Sequence, residues 1–193
     1  MSVRKAIPQK EGLYFVTITC SQWLRLFDIV RGYDIVYNCF DHLKSKGHLI
    51  CGYVIMPNHL HALIAFRNTG KPLNTIIGNG KRFMALDLLK RLNEQQEEAV
   101  LNKLASCVNE ADRAKGQLHK VFEPSFDWKE CFTEHFILQK LSYMHDNPCR
   151  GTWNLASSPQ DYEHSSARFY LLHQQGRYEV TSYKDLEDMD LTK

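Results

Sequence analysis

The chain has 193 residues, of which 44% are hydrophobic and 24% charged, and its formal net charge is +2. That length suits one sizeable core with an appended tail and leaves little room for two full domains. No apolar run approaches the roughly 18 to 20 residues that span a bilayer, so no membrane partner is expected, and the charge is too small to argue nucleic-acid binding by itself.

Met1-Ser2-Val3-Arg4-Lys5 is followed by Ala6-Ile7-Pro8-Gln9-Lys10-Glu11 rather than by an apolar signal core, which points to a cytoplasmic protein. Cys20, Cys39, Cys51, Cys107, Cys131 and Cys149 form no Cys-x-x-Cys pair, and they read as small hydrophobes rather than as a disulfide framework or a thiolate zinc site.

Leu13 to Cys20 is rich in aromatic and β-branched residues and reads as a first strand. Ser21 to Gly32 is a connection. From Tyr33 to Lys46, Ile35, Val36, Cys39, Phe40 and Leu43 recur at helical spacing, and Gly47 stands where a C-cap belongs. His48 to Met56 and His59 to Phe66 are strands joined by a turn so tight that they must be antiparallel neighbours. After a loop over Asn68 to Pro72, the residues Leu73, Ile76, Ile77, Phe83, Met84 and Leu88 outline a second helix, weakened by Gly78 and Gly80. Asn93 to about Cys107 is a further helical stretch, and Ala111 to Lys120 reads as loop. A fourth strand falls within Val121-Phe122-Glu123 or the aromatic-rich Phe126 to Phe132. Thr133 is an N-cap for a helix from Glu134 to about Asn147, which Pro148 ends. After Gly151 the chain reads as a packed, irregular tail.

This order predicts an α+β fold of the ferredoxin-like, split-βαβ type: an antiparallel sheet with helices on one face and the other face open. A single domain over 1–193 is expected, with its core at about 12–150 and residues 151–193 as a tail packed on that core.

Within Met56-Pro57-Asn58-His59-Leu60-His61, strand alternation turns His59 and His61 to one face and Leu60 and Ala62 to the other. Two imidazoles on the open face are a pair of metal ligands, although a His-x-His run also arises on strands that bind nothing. By the same alternation Asn58 points away from the histidines and reads as a turn residue. On the last helix, Tyr143 and Asn147 lie four residues apart, about 40° around the axis, and share a face.

Tyr53-Val54-Ile55-Met56-Pro57-Asn58-His59-Leu60-His61 together with Tyr143-Met144-His145-Asp146-Asn147-Pro148-Cys149-Arg150 resembles the REP-associated tyrosine transposases, a branch of the insertion-sequence 200-like single-tyrosine transposases within the HUH endonuclease superfamily. Asp161-Tyr162 followed by Ser165-Ser166-Ala167-Arg168-Phe169-Tyr170 is similar to the segment this branch carries after its catalytic helix.

The resemblance implies a single-strand DNA transposase that cleaves and rejoins hairpin or palindromic repeats as monomer or homodimer. Tyr143 would attack phosphorus to give a 5′-phosphotyrosine, with Mg²⁺ or Mn²⁺ held by His59, His61 and a third polar side chain. By position that third ligand is Asn147, and His145 is the competitor, turned about 160° from Tyr143 on a helix. Arg4, Lys5, Lys81, Arg82, Lys140, Phe126 and Trp128 are candidates for phosphate contact or base stacking. Cys149 stands where the family usually has valine, and Gly151-Thr152-Trp153 where it usually has alanine-glycine-leucine. Two other classes remain open. One is a nucleic-acid-binding module without chemistry; the other is a metal-dependent hydrolase that uses water and forms no covalent adduct.

Overall fold

A computed structural model describes residues 10–124 and 127–192, so the expectations placed on Arg4, Lys5 and Phe126 lie outside the described residues. Four strands form one antiparallel sheet of order β2-β3-β1-β4: β1 (Gly12–Thr19), β2 (Leu49–Met56), β3 (His59–Phe66) and β4 (Asp127–Glu130). Each central strand is separated from its parallel partner by one antiparallel strand, which is the split-βαβ arrangement expected of a ferredoxin-like fold. β3 occupies the bounds read from its sequence, and β4 is the later of the two segments considered. Phe122, from the earlier segment, makes only an isolated bridge to Cys20.

Among the described residues seven α-helical segments accompany the sheet: α1 (Leu26–Ile29), α2 (Tyr33–Ser45), α3 (Leu73–Glu94), α4 (Glu98–Ser106), α5 (Glu110–Arg113), α6 (Glu134–Asp146) and α7 (Ala167–Leu172). The connection before α2 and the supposed loop after residue 110 thus each contain one helical turn. α3 runs straight through Gly78 and Gly80 despite their cost of about 1 kcal/mol each. At Gly80 the reason is packing, because a Cβ there would stand 3.1 Å from Cys39 Sγ on α2.

α2 and α3 cover one face of the sheet, as the sequence predicts, over Tyr14, Val16, Ile18, Leu60, Ile64 and Phe66. Burial of each such side chain contributes about 1.5–3 kcal/mol. The other face is not open along its length. α6 and the tail lie over it, and Phe15, Cys51, Val54, Leu63, Ile137 and Leu141 share a second core there. The cause is visible in β2 and β3, which are apolar at both alternations, as strands buried on two faces are. Cys51 forms a β-bulge against β3, and a Cβ on Gly52 would stand 2.8 Å from Leu141 Cδ2, so glycine is what lets α6 approach.

The tail also closes the exposed edge of β2. Ile55 N–H donates to the His164 carbonyl at 2.8 Å and Ser166 N–H to the Tyr53 carbonyl at 2.9 Å. Backbone groups that would otherwise template aggregation are thereby satisfied. Among the described residues no helix is long and apolar enough to cross a membrane.

Candidate active site

β3 leaves the Pro57-Asn58 turn with His59 and His61 on the α6 face, where their rings meet edge to face at 4.8 Å. Antiparallel register sets Thr19 opposite His59 and Thr17 opposite His61. Thr17 Oγ1 lies 2.8 Å from His61 Nδ1, and Asn58 Oδ1 lies 2.6 Å from His59 Nδ1. Asn58 Oδ1 can only accept, so His59 Nδ1 carries the proton and its Nε2 keeps a lone pair. For His61 the Thr17 hydroxyl can fill the same role, and the ring's other nitrogen, Nε2, is buried with no hydrogen-bond partner.

Both rings are almost wholly buried. Burial pushes His59 down to about 4, and burial, aided by His59 and the Lys140 ammonium, pushes His61 down to about 3. At neutral pH both imidazoles are uncharged, so each ring keeps one basic nitrogen. A buried nitrogen without a hydrogen-bond partner, as at His61 Nε2, fits an electrophile, a metal ion above all.

α6 brings the second half. Thr133 Oγ1 accepts from Phe136 N–H and fixes the start of the helix. Ile137, Leu141 and Met144 bury one face, and Tyr143 is carried beside the histidines. Its ring is 5.3 Å from His61 and 6.2 Å from the Phe15 ring, and it remains 49% exposed. Asn147, which ends α6, places its side-chain amide 3.4 Å from His59 Nε2. Lys140, one turn before Tyr143, holds its ammonium 5.1 Å from the centres of both the Phe15 and Phe136 rings and 5.8 Å from that of Tyr143.

His59, His61, Tyr143, Asn147 and Lys140 therefore meet. His145 does not join them. It is buried, its Nε2 lies 2.9 Å from Ser166 Oγ in the tail, and burial pushes it down to about 4. Among the described residues no three His, Cys, Asp or Glu side chains gather into a metal-binding group, and the polar side chain set against His59 Nε2 is the Asn147 amide.

The remaining basic and aromatic candidates sit elsewhere. Lys81 donates to the Glu123 carbonyl at 2.6 Å from α3, and Arg82 is exposed on that same helix across the sheet. Trp128 packs at 5.6 Å on Tyr14, on the α2 and α3 face.

No family model and no curated protein matches the sequence. Among solved structures, one of a REP-associated tyrosine transposase bound to a REP hairpin superposes over 100% of this chain and 98% of its own, with a TM-score of 0.60 and 14% identity. The chain has the fold of that transposase. A second structure, of a Deinococcus radiodurans R1 protein described as a transposase, aligns with 70% of this chain and 90% of its own at a TM-score of 0.41 and 14% identity.

Two residues of this pocket escape a reading of the motifs alone. Asn58 lies in the turn rather than in the strand, so alternation does not govern it, and its amide folds back on His59. Thr17 left one trace in the sequence. With Thr19 it puts two hydroxyls on one face of a strand whose other face is apolar.

Proposed function

We propose that the chain is a REP-associated tyrosine transposase that cuts and rejoins single-stranded DNA at hairpin or palindromic repeats, with Tyr143 as nucleophile. The observation that carries this reading is the convergence of two distant segments, Tyr143 and Asn147 on α6 against His59 and His61 on β3. The likeness to a transposase bound to a REP hairpin supports the same conclusion.

His59 and His61 would hold a divalent ion, Mg²⁺ or Mn²⁺, through their Nε2 atoms. Asn147 would join them by turning its amide so that Oδ1 faces His59, an oxygen donor that suits such hard ions better than a third imidazole. When bound, the ion supplies Lewis-acid stabilisation at the scissile phosphate.

Asn58 holds the His59 tautomer and Thr17, by accepting from His61 Nδ1–H, would hold that of His61, which would keep both Nε2 lone pairs available. Tyr143 Oη attacks phosphorus, its proton passing to solvent beside this half-exposed residue, and the 3′-oxygen leaves and is protonated. The product is a 5′-phosphotyrosine ester and a free 3′-hydroxyl. Attack on that ester by another strand's 3′-hydroxyl reverses the step and joins new ends. Lys140 stands where its positive charge would lie against the phosphate.

Incubation with hairpin DNA and Mn²⁺, followed by a denaturing gel, tests the reading. Wild type is expected to form a protein–DNA adduct that Tyr143→Phe abolishes. Cleavage without an adduct would identify a hydrolase that uses water; binding without cleavage would identify a non-catalytic module.

A further inference from the structure

A second feature adjoins the pocket and has no part in the chemistry above. Trp23 is 64% exposed, an unusual state for the largest apolar side chain, and its ring meets the His59 ring edge to face at 6.0 Å. Trp153, half-buried after the end of α6, meets the same His59 ring at 6.2 Å. The Arg25 guanidinium lies over the Trp153 ring at 6.0 Å and is also paired with Asp28 at 2.9 Å.

The backbone holds Trp23 there against its own preference. Gln22 and Trp23 both have left-handed φ values, 52° and 56°, a conformation that side-chain-bearing residues adopt at a cost of about 1–3 kcal/mol. The loop is pinned on both sides. Ser21 N–H donates to the Val121 carbonyl at 2.8 Å, and Gln22 N–H donates to Glu123 Oε1 at 3.1 Å. Asn58 Nδ2 donates to the Trp23 carbonyl at 3.2 Å while its Oδ1 accepts from His59 Nδ1–H. One amide thus ties the backbone that carries Trp23 to the imidazole beside it.

We propose that Trp23 and Trp153 form a stacking platform for an unpaired nucleotide beside the phosphate engaged at His59, with Arg25 placed for the neighbouring phosphate. This rests on the reading of the pocket as a single-strand DNA site. Aromatic faces bind bases only when these are unstacked, so the platform makes the protein select a hairpin with a single-stranded tail over a blunt duplex. A strained loop that exposes a tryptophan gains nothing in the free protein. It becomes favourable when a base covers the ring.

The test is an affinity cycle in EDTA, so that neither metal nor cleavage enters. Hairpins with 5′ tails, with 3′ tails and with none are titrated against the full chain, and 2-aminopurine at each unpaired position reports stacking by its quench. For wild type, one tail is expected to tighten binding, with a quench at one or two positions. Trp23→Ala should remove about fivefold or more of that tail-dependent gain. Trp23→Phe should restore part of it. Trp153→Leu, with its fold checked by thermal melting, should act in the same direction.

Equal weakening of tailed and blunt hairpins, or no change with Trp23→Ala, would overturn the platform and leave the adduct assay of Tyr143 untouched. Conversely, a tail-dependent quench lost in Trp23→Ala, from a protein that forms no adduct, would uphold the platform while removing the transposase reading.

Discussion

Acid should destabilise this protein steeply, and well above the range where carboxylates titrate. His59, His61 and His145 are buried and held at about 4, 3 and 4, below the ordinary histidine value of about 6.5. Because each folded value is depressed, the unfolded chain binds more protons between about pH 6.5 and 4. Stability is therefore complete above pH 6.5 and falls as the pH drops towards the folded values. Each pH unit in that window costs about 1.4 kcal/mol per histidine. At pH 5 the loss is about 2 kcal/mol for each ring and about 6 kcal/mol for the three, against a total stability of about 5–15 kcal/mol for a typical domain. His48 and His164 are also depressed by burial and add in the same direction. Urea titrations in EDTA at pH 7.5 and pH 5.0, followed by circular dichroism, measure the difference. His145→Gln should recover about 2 kcal/mol of the acid loss whatever it does to stability at pH 7.5. A wild-type difference under about 1 kcal/mol between the two pH values would refute the claim that these rings are buried as neutral bases.

Three further outcomes follow from the site's supports. Thr17→Val and Asn58→Ala should each weaken Mn²⁺ binding by about 10- to 100-fold in calorimetric titration, since each removes the group that fixes a ring tautomer; an unchanged affinity would show that the tautomers need no support. Gly52→Ala drives a methyl into Leu141 and should cost about 1–3 kcal/mol in urea unfolding and reduce adduct yield, because α6 carries Tyr143. Lys140→Ala should slow adduct formation at saturating DNA more than it weakens binding, and the reverse order would make Lys140 a distant phosphate contact.

Much of this architecture was legible without coordinates. The period-2 placement of His59 and His61 and the four-residue spacing of Tyr143 and Asn147 survive as one pocket, because both are properties of a single local element. What the motifs could not supply was mainly long-range. Thr17 reaches His61 only through the register of β1 on β3, and no short stretch encodes a register. The burial of the second face was latent in the unbroken apolar run of β2 and β3, yet which elements would cover it depends on α6 and the tail. Trp128 is a candidate for base stacking from its sequence, and strand alternation along β4 turns it onto Tyr14, on the face opposite Tyr143. Trp23 gave no signal, since left-handed φ at two successive non-glycine residues leaves no mark in composition.

The central claim is that α6 delivers a nucleophile to the histidine pair, and the site of covalent attachment tests it most directly. Protein reacted with hairpin DNA and Mn²⁺, digested with nuclease and trypsin, should yield a nucleotide-bearing peptide whose fragmentation places the 5′-phosphate on Tyr143 Oη. A nucleotide on any other residue, or efficient cleavage with no modified peptide, would contradict it.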